Sequence, residues 1–286
     1  MYNLNLCLDK ATIGFDVLLD EFINIASVSG FTSIEPSIIE IENYINKKSE
    51  IELKSTLKRH RIDIKQFSCA FGIPGNIAIR EKDFNEKLTK WEKYCRLGND
   101  LGFKKASLIV SQYMDSGSIK MPIDEIVQRL RRISFIAKKY NIYVSLEIID
   151  PDLFLLIPEL INSCPLNNIG VLIDTYIYSC FGSVHTLNEL IPNNKISWIH
   201  LSDSKYSKTN YLNGERLIPG RGSLALREIM ESCIKKGYND SVSIEVYGDM
   251  EWNNLNPYIR ARQAYEGYSK VISKINKAKK GLTYEY

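Results

Sequence analysis

The chain has 286 residues, 44% of them apolar and 25% charged, with a formal net charge of +3. That length can bury one large core, and the balanced charge excludes a sequence-independent attraction to nucleic acid or anionic lipid. The opening MYNLNLCLDK is broken by Asp9 and Lys10, so no secretory leader or spanning helix is expected, and neither is membrane contact; a cytoplasmic location is the expectation. Six cysteines (Cys7, Cys69, Cys95, Cys164, Cys180 and Cys233) are scattered without C-x-x-C spacing, which suits reduced core thiols better than disulfides or a zinc knuckle.

Eight β-rich runs follow in order, at about 3–8, 31–35, 63–70, 105–110, 142–149, 170–174, 197–202 and 241–247. Each precedes a segment long enough for a crossover helix. One helix is sharply patterned: after Pro122, the residues Ile123, Ile126, Val127, Leu130, Ile133, Ile136 and Ala137 recur at helical spacing. Its opposite face carries Arg129, Arg131, Arg132 and Lys138. Gly30-Phe31, Gly102-Phe103 and Gly237-Tyr238 each place a glycine at a helix exit and an aromatic residue before a strand. Eight such units predict an α/β fold, a single (β/α)8 TIM barrel over residues 1–276, followed by a charged tail at 277–286. An open doubly wound sheet is the alternative, but no G-x-G-x-x-G follows the first run.

A strand covered on both faces should be nearly all apolar, and a lone buried carboxylate there costs several kcal/mol. Yet the last run reads SVSIEVY with Glu245, and the fifth reads YVSLEII with Glu147 in the same Ser-x-Glu phase. Asp174 ends the sixth run, and His200 lies in the seventh. In a barrel these residues meet near the C-terminal ends of the strands. Three carboxylates can all ionise together if a cation joins them, and with one imidazole they form a hard, oxygen-rich set. One divalent ion is therefore expected: Mn, Co, Mg or Zn. Such an ion would bind adjacent oxygens of an α-hydroxy ketone and ease removal of the neighbouring C–H proton. The alternative gives each carboxylate an ordinary partner such as Arg216, Arg221 or Lys205.

Six pieces together resemble the xylose-isomerase-like barrel superfamily of sugar isomerases and epimerases: LNLCLDKATI, VSLEI, GVLIDTYIYSCFGS, ISWIHLSDS, GERLIPGRGSL and VSIEVY. The resemblance covers nearly the whole chain. It implies a metal held by Glu147, Asp174, His200 and Glu245, with Glu147 and Glu245 as the catalytic proton carriers on either face of a cis-enediolate. It further implies that Arg216, in a segment matching the family's R-x-x-P-G-x-G, contacts substrate oxygens or supports a metal ligand. Asp203 either orients His200, touches substrate or caps the following turn. Where the family usually reads Asp-[Ser/Thr]-Phe-His, this chain reads Asp174-Thr175-Tyr176-Ile177, so Tyr176 enters the substrate wall and the histidine is missing. Tyr178, Phe181, Phe71 and Trp252 also lie near strand ends.

Of the three histidines, His60 sits in a basic stretch and His185 beyond Gly182, which leaves His200 as the ligand. That count excludes the trinuclear zinc site of endonuclease IV-like barrels. The expected activity is metal-dependent isomerisation or epimerisation of a ketose or cyclic keto-polyol. The alternatives are a dehydratase of a keto-polyol or keto-acid, and a non-catalytic sugar-binding barrel. The expected partner is a small sugar or polyol, with no nucleic acid; assembly as a homo-oligomer is left open.

Overall fold

The computed structural model describes residues 4–69, 77–111, 120–205, 215–248 and 250–282. Among these are nine parallel strand segments. They are β1 (Leu6–Asp9), β2 (Ser33–Glu35), β3 (Asp63–Ile64), β4 (Gln66–Ser68), β5 (Lys105–Val110), β6 (Tyr143–Ile148), β7 (Ile169–Asp174), β8 (Ile196–Leu201) and β9 (Val242–Ile244). The order across the sheet is β3-β2-β1-β9-β8-β7-β6-β5-β4. Only Lys65 separates β3 from β4, so the two ends of the sheet are halves of one strand. Its first half pairs with β2 and its second half with β5. The sheet thus comes round on itself, and the eight expected runs make the ring of a TIM barrel.

Alternate strand residues face outward and inward. The outward set, which includes Leu8, Ile34, Ala106, Leu108, Leu146, Ile173, Ile199 and Ile244, is buried in one continuous core beneath the helices. Burying each such aliphatic side chain stabilises the fold by about 1.5–3 kcal/mol before chain entropy is subtracted. The inward set is different. Cys7, Leu172 and Trp198 form a separate apolar cluster inside the ring; Ser33 and Ser243 flank Cys7 on the neighbouring strands, and Ser107 pairs with Ser145. One residue pair further along the strands, the inward positions turn polar: Asp9, Glu35, Glu147, Asp174, His200 and Glu245.

The three Gly-aromatic junctions end their helices in one way. Gly30, Gly102 and Gly237 have φ of 92, 86 and 95°, and the next N–H reaches back to the helix (Phe31 to Ala26, Phe103 to Gly98, Tyr238 to Cys233). That left-handed turn lets the buried aromatic ring start the following strand. The patterned helix runs Ile123–Lys139, with Pro122 just before it. Arg129 corrects the expectation of a solvent face: it is buried, donating to Ile77 O and Ile79 O and pairing with Glu81 and Glu125. The last helix extends over Pro257–Leu282, past Ile275 where its apolar pattern stops. All six cysteines are free. Among the described residues no helix is long and apolar enough to cross a membrane.

Candidate metal centre

Each of the four polar residues reaches the mouth of the ring by a different local device. Glu147 is the penultimate residue of β6. Asp174 ends β7 and caps the helix Thr175–Phe181, its Oδ1 accepting the N–H of Tyr176 (2.8 Å) and of Ile177 (3.1 Å). Between β7 and β8 the register slips after Val171, which faces Ile196, so that Leu172 faces Trp198 and Asp174 comes level with His200. Glu245 lies one residue beyond the end of β9, although its N–H still reaches Leu201 O at 3.3 Å. The Thr12 hydroxyl holds both flanks of Glu245: it donates to Ile244 O (2.6 Å) and accepts the Val246 N–H (3.0 Å).

The ligand atoms of Glu147, Asp174, His200 and Glu245 all lie within 4.8 Å of one another. His200 Nδ1 is 3.5 Å from Glu245 Oε2 and 3.7 Å from Glu147 Oε1. Among the described residues neither Nδ1 nor Glu245 Oε2 has a hydrogen-bond partner, and both atoms are buried. Two unpartnered buried electron-pair donors that face each other suit a shared cation, and the other two carboxylates complete an oxygen-rich set. Beside them Arg216, only 2% exposed, lies between the rings of Tyr247 (4.1 Å from ring centroid to guanidinium carbon) and Tyr176 (4.8 Å). Its Nη2 donates to Asp174 Oδ2 at 2.7 Å. Its Nε and Nη1 have no hydrogen-bond partner among the described residues, Nε standing 3.9 Å from Glu245 Oε2. The centre therefore presents orphaned donors as well as orphaned acceptors, which a cation together with an oxygen-bearing molecule would satisfy.

The environments of the two glutamates differ. Burial raises the Glu147 carboxyl to about 7 against the pull of His200. Burial also pushes Glu245 upward, but the His200 imidazole and the Arg216 guanidinium outweigh it and hold Glu245 below the usual carboxylate range. For His200 itself, burial disfavours the proton, and the negative charges of Glu35 and Glu245 outweigh burial and hold its pKa well above normal.

A family model described as xylose isomerase-like TIM barrel matches residues 23–267. The chain belongs to that family. The inosose isomerase of Bacillus velezensis is 22% identical over 281 residues, 95% of this chain and 98% of that protein. An inosose isomerase of Halalkalibacterium halodurans is 28% identical over 154 residues, 52% of this chain and 54% of that protein. The barrel superposes on the IolI protein, whose crystal structure contains a bound zinc atom, with a TM-score of 0.80 at 20% identity, covering 95% of this chain and 99% of that one. D-psicose 3-epimerase of Clostridium cellulolyticum, solved with D-tagatose, gives a TM-score of 0.70 at 15% identity, covering 95% and 99%.

In this xylose isomerase-like barrel the four expected ligands converge, with Arg216 and Tyr176 beside them. Asp203 does something else. Its carboxylate accepts backbone N–H groups from Ser204 (2.9 Å), Gly220 (3.0 Å) and Leu224 (3.0 Å), and its own backbone pairs with Leu217. This is the turn-capping alternative, and it fastens the loop that carries Arg216. Gly222 allows the close packing, since a Cβ there would stand 2.3 Å from Asp203 Oδ1. Trp252 is buried and donates to Thr12 O, while Phe71 falls outside the described residues. His60 ends the helix Glu50–His60, and His185 is exposed beside Glu189. The sequence reading missed Glu35, Asp9 and Tyr247. Glu35 and Asp9 form a second group with His200 whose ligand atoms lie within 4.8 Å of one another. A signal for Glu35 was present, because Ser33-Ile34-Glu35 repeats the Ser-x-Glu phase seen around Glu147 and Glu245.

Proposed function

We propose that this chain is a divalent-metal-dependent isomerase or epimerase of a ketose or cyclic keto-polyol, with Glu147, Asp174, His200 and Glu245 as metal ligands. The observation that carries the reading is the pair of buried, unpartnered atoms His200 Nδ1 and Glu245 Oε2, beside an Arg216 with two unpartnered donors. The inosose isomerases and the epimerase-like structures support the substrate class. A cation bound here would supply Lewis acidity to adjacent carbonyl and hydroxyl oxygens of the substrate.

The chain's own residues do the rest. Glu245, held ionised in the metal-free site, accepts the proton from the carbon beside the carbonyl, and the electron pair of that C–H bond moves into an enediolate whose charge rests on the former carbonyl oxygen. Glu147 in its protonated form donates a proton to carbon; delivery to the opposite face of the same carbon epimerises the sugar, and delivery to the neighbouring carbon, with the enol hydroxyl proton passing to the other oxygen, isomerises it. Arg216 Nε and Nη1 take a substrate oxygen, and Tyr176 and Tyr247 keep the guanidinium in place.

The test is exchange of substrate α-protons with deuterated water, followed by NMR on inososes and ketoses with Zn, Mn, Co or Mg supplied. Exchange with recovery of an isomer supports the proposal. Loss of a β-hydroxyl would make the protein a dehydratase, and metal binding without exchange would make it a binding barrel.

A further inference from the structure

We infer that Glu35 is a positioning residue that fixes which nitrogen of His200 faces the metal centre. The inference rests on the metal reading of the four-residue site. Glu35 is fully buried with the Asp9 carboxylate nearby, and its hydrogen-bond partners among the described residues are donors drawn from three strands. Oε1 accepts from Gln66 Nε2 (2.8 Å, β4) and Ser107 Oγ (3.2 Å, β5), and Oε2 accepts from Trp198 Nε1 (2.7 Å, β8). His200 Nε2 lies 3.1 Å from the same Oε2. A carboxylate ringed by donors acts only as an acceptor, so the hydrogen in that last contact must sit on Nε2. Nδ1 is then the nitrogen turned toward Glu147 and Glu245, and a cation bound there would take its lone pair in place of a proton.

The same argument decides between the two overlapping groups that His200 could join. A cation among Asp9, Glu35 and His200 would need the Nε2 lone pair, which carries hydrogen, and Glu35 oxygens that already serve four donors. The four-residue group needs neither. Glu35 thus plays the part of the outer carboxylate that orients a ligating imidazole, a role whose removal typically costs 10- to 100-fold in metal affinity.

The experiment compares wild type with Glu35→Gln, and with Trp198→Phe as control, by zinc titration and by NMR of protein labelled with ¹⁵N-histidine. Glu35→Gln should bind zinc about 10- to 100-fold more weakly and lose the slowly exchanging Nε2–H signal of His200. Trp198→Phe removes a different donor from the same carboxylate and should keep both zinc affinity, within about threefold, and the signal. Glu35→Asp, which keeps the charge but shortens the reach, should behave like Glu35→Gln and serves if the amide variant fails to fold. Wild-type zinc affinity in Glu35→Gln, or an unchanged Nε2–H signal, overturns the inference. The signal is also read in metal-free protein, so a wild type that binds no zinc would sink the metal reading while the NMR comparison still decides the role of Glu35.

Discussion

Glu35 and Glu245 lie on opposite sides of one imidazole, and their surroundings could hardly differ more. Glu35 serves four donors. Glu245 has a buried oxygen with no hydrogen bond among the described residues, faced at longer range by His200 Nδ1 (3.5 Å) and Arg216 Nε (3.9 Å). An unpartnered buried polar group costs about 1–3 kcal/mol, so the fold tolerates at Glu245 what it avoids at Glu35. Burial of a carboxylate is therefore not by itself a sign of function; a satisfied one builds the scaffold, and an unsatisfied one beside a facing imidazole marks where something binds.

The contrast can be broken most forcefully at Glu245. Glu245→Gln should lower turnover by about 10²- to 10⁴-fold while the far-UV spectrum and melting curve stay native; steady-state kinetics with near-normal rates would remove Glu245 from the reaction. His200→Ala should weaken zinc or manganese binding at least ten- to a hundredfold, read by titration and by metal content after purification without chelators. Chelation sharpens the same point. At metal a hundredfold above its Kd, wild type should gain about 2.7 kcal/mol in urea unfolding that EDTA abolishes, and His200→Ala should show much less response.

On the satisfied side, Trp198→Phe removes one donor from Glu35 and should destabilise the fold by about 1–3 kcal/mol in urea melts. The smallest effect lies away from both glutamates, at Asp240. Burial pushes its carboxyl up, but the ion pair with Lys105 outweighs burial and holds it below the usual range. Its stabilisation is present above the unfolded carboxylate range near pH 4 and is lost as pH falls through the lower folded value. Asp240→Asn should therefore flatten the fall in melting temperature below about pH 4 and leave turnover unchanged.

The ring and the four polar residues at its mouth were legible because carboxylates on otherwise apolar strands conflict with local rules, and such conflicts collect at sites. Glu35 obeys the same Ser-x-Glu phase, but its run FTSIE stops there before Pro36, so the glutamate reads as the exit of the run and not, as in SVSIEVY, as a carboxylate with apolar residues on both sides. Asp9 read as an interruption of the opening segment, whereas it caps the helix Lys10–Ile13 and faces the ring. Arg129 shows the other limit. Its period puts it on the polar face, but the carbonyls it grips, those of Ile77 and Ile79, come from a distant segment that no local window contains.

The break at Lys65 has its own consequence. β2 and β3 share two residue pairs, Ser33 with Asp63 and Ile34 with Ile64, and beyond Lys65 a single bridge, Ser37 with Ser68, ties the same strands, whereas β5 and β6 share six in an unbroken ladder. A closed ring is only as durable as its weakest seam, and this one is interrupted after two pairs. Amide exchange should therefore be fastest across this seam, with the barrel opening there as a curling sheet before its β5–β8 half gives way.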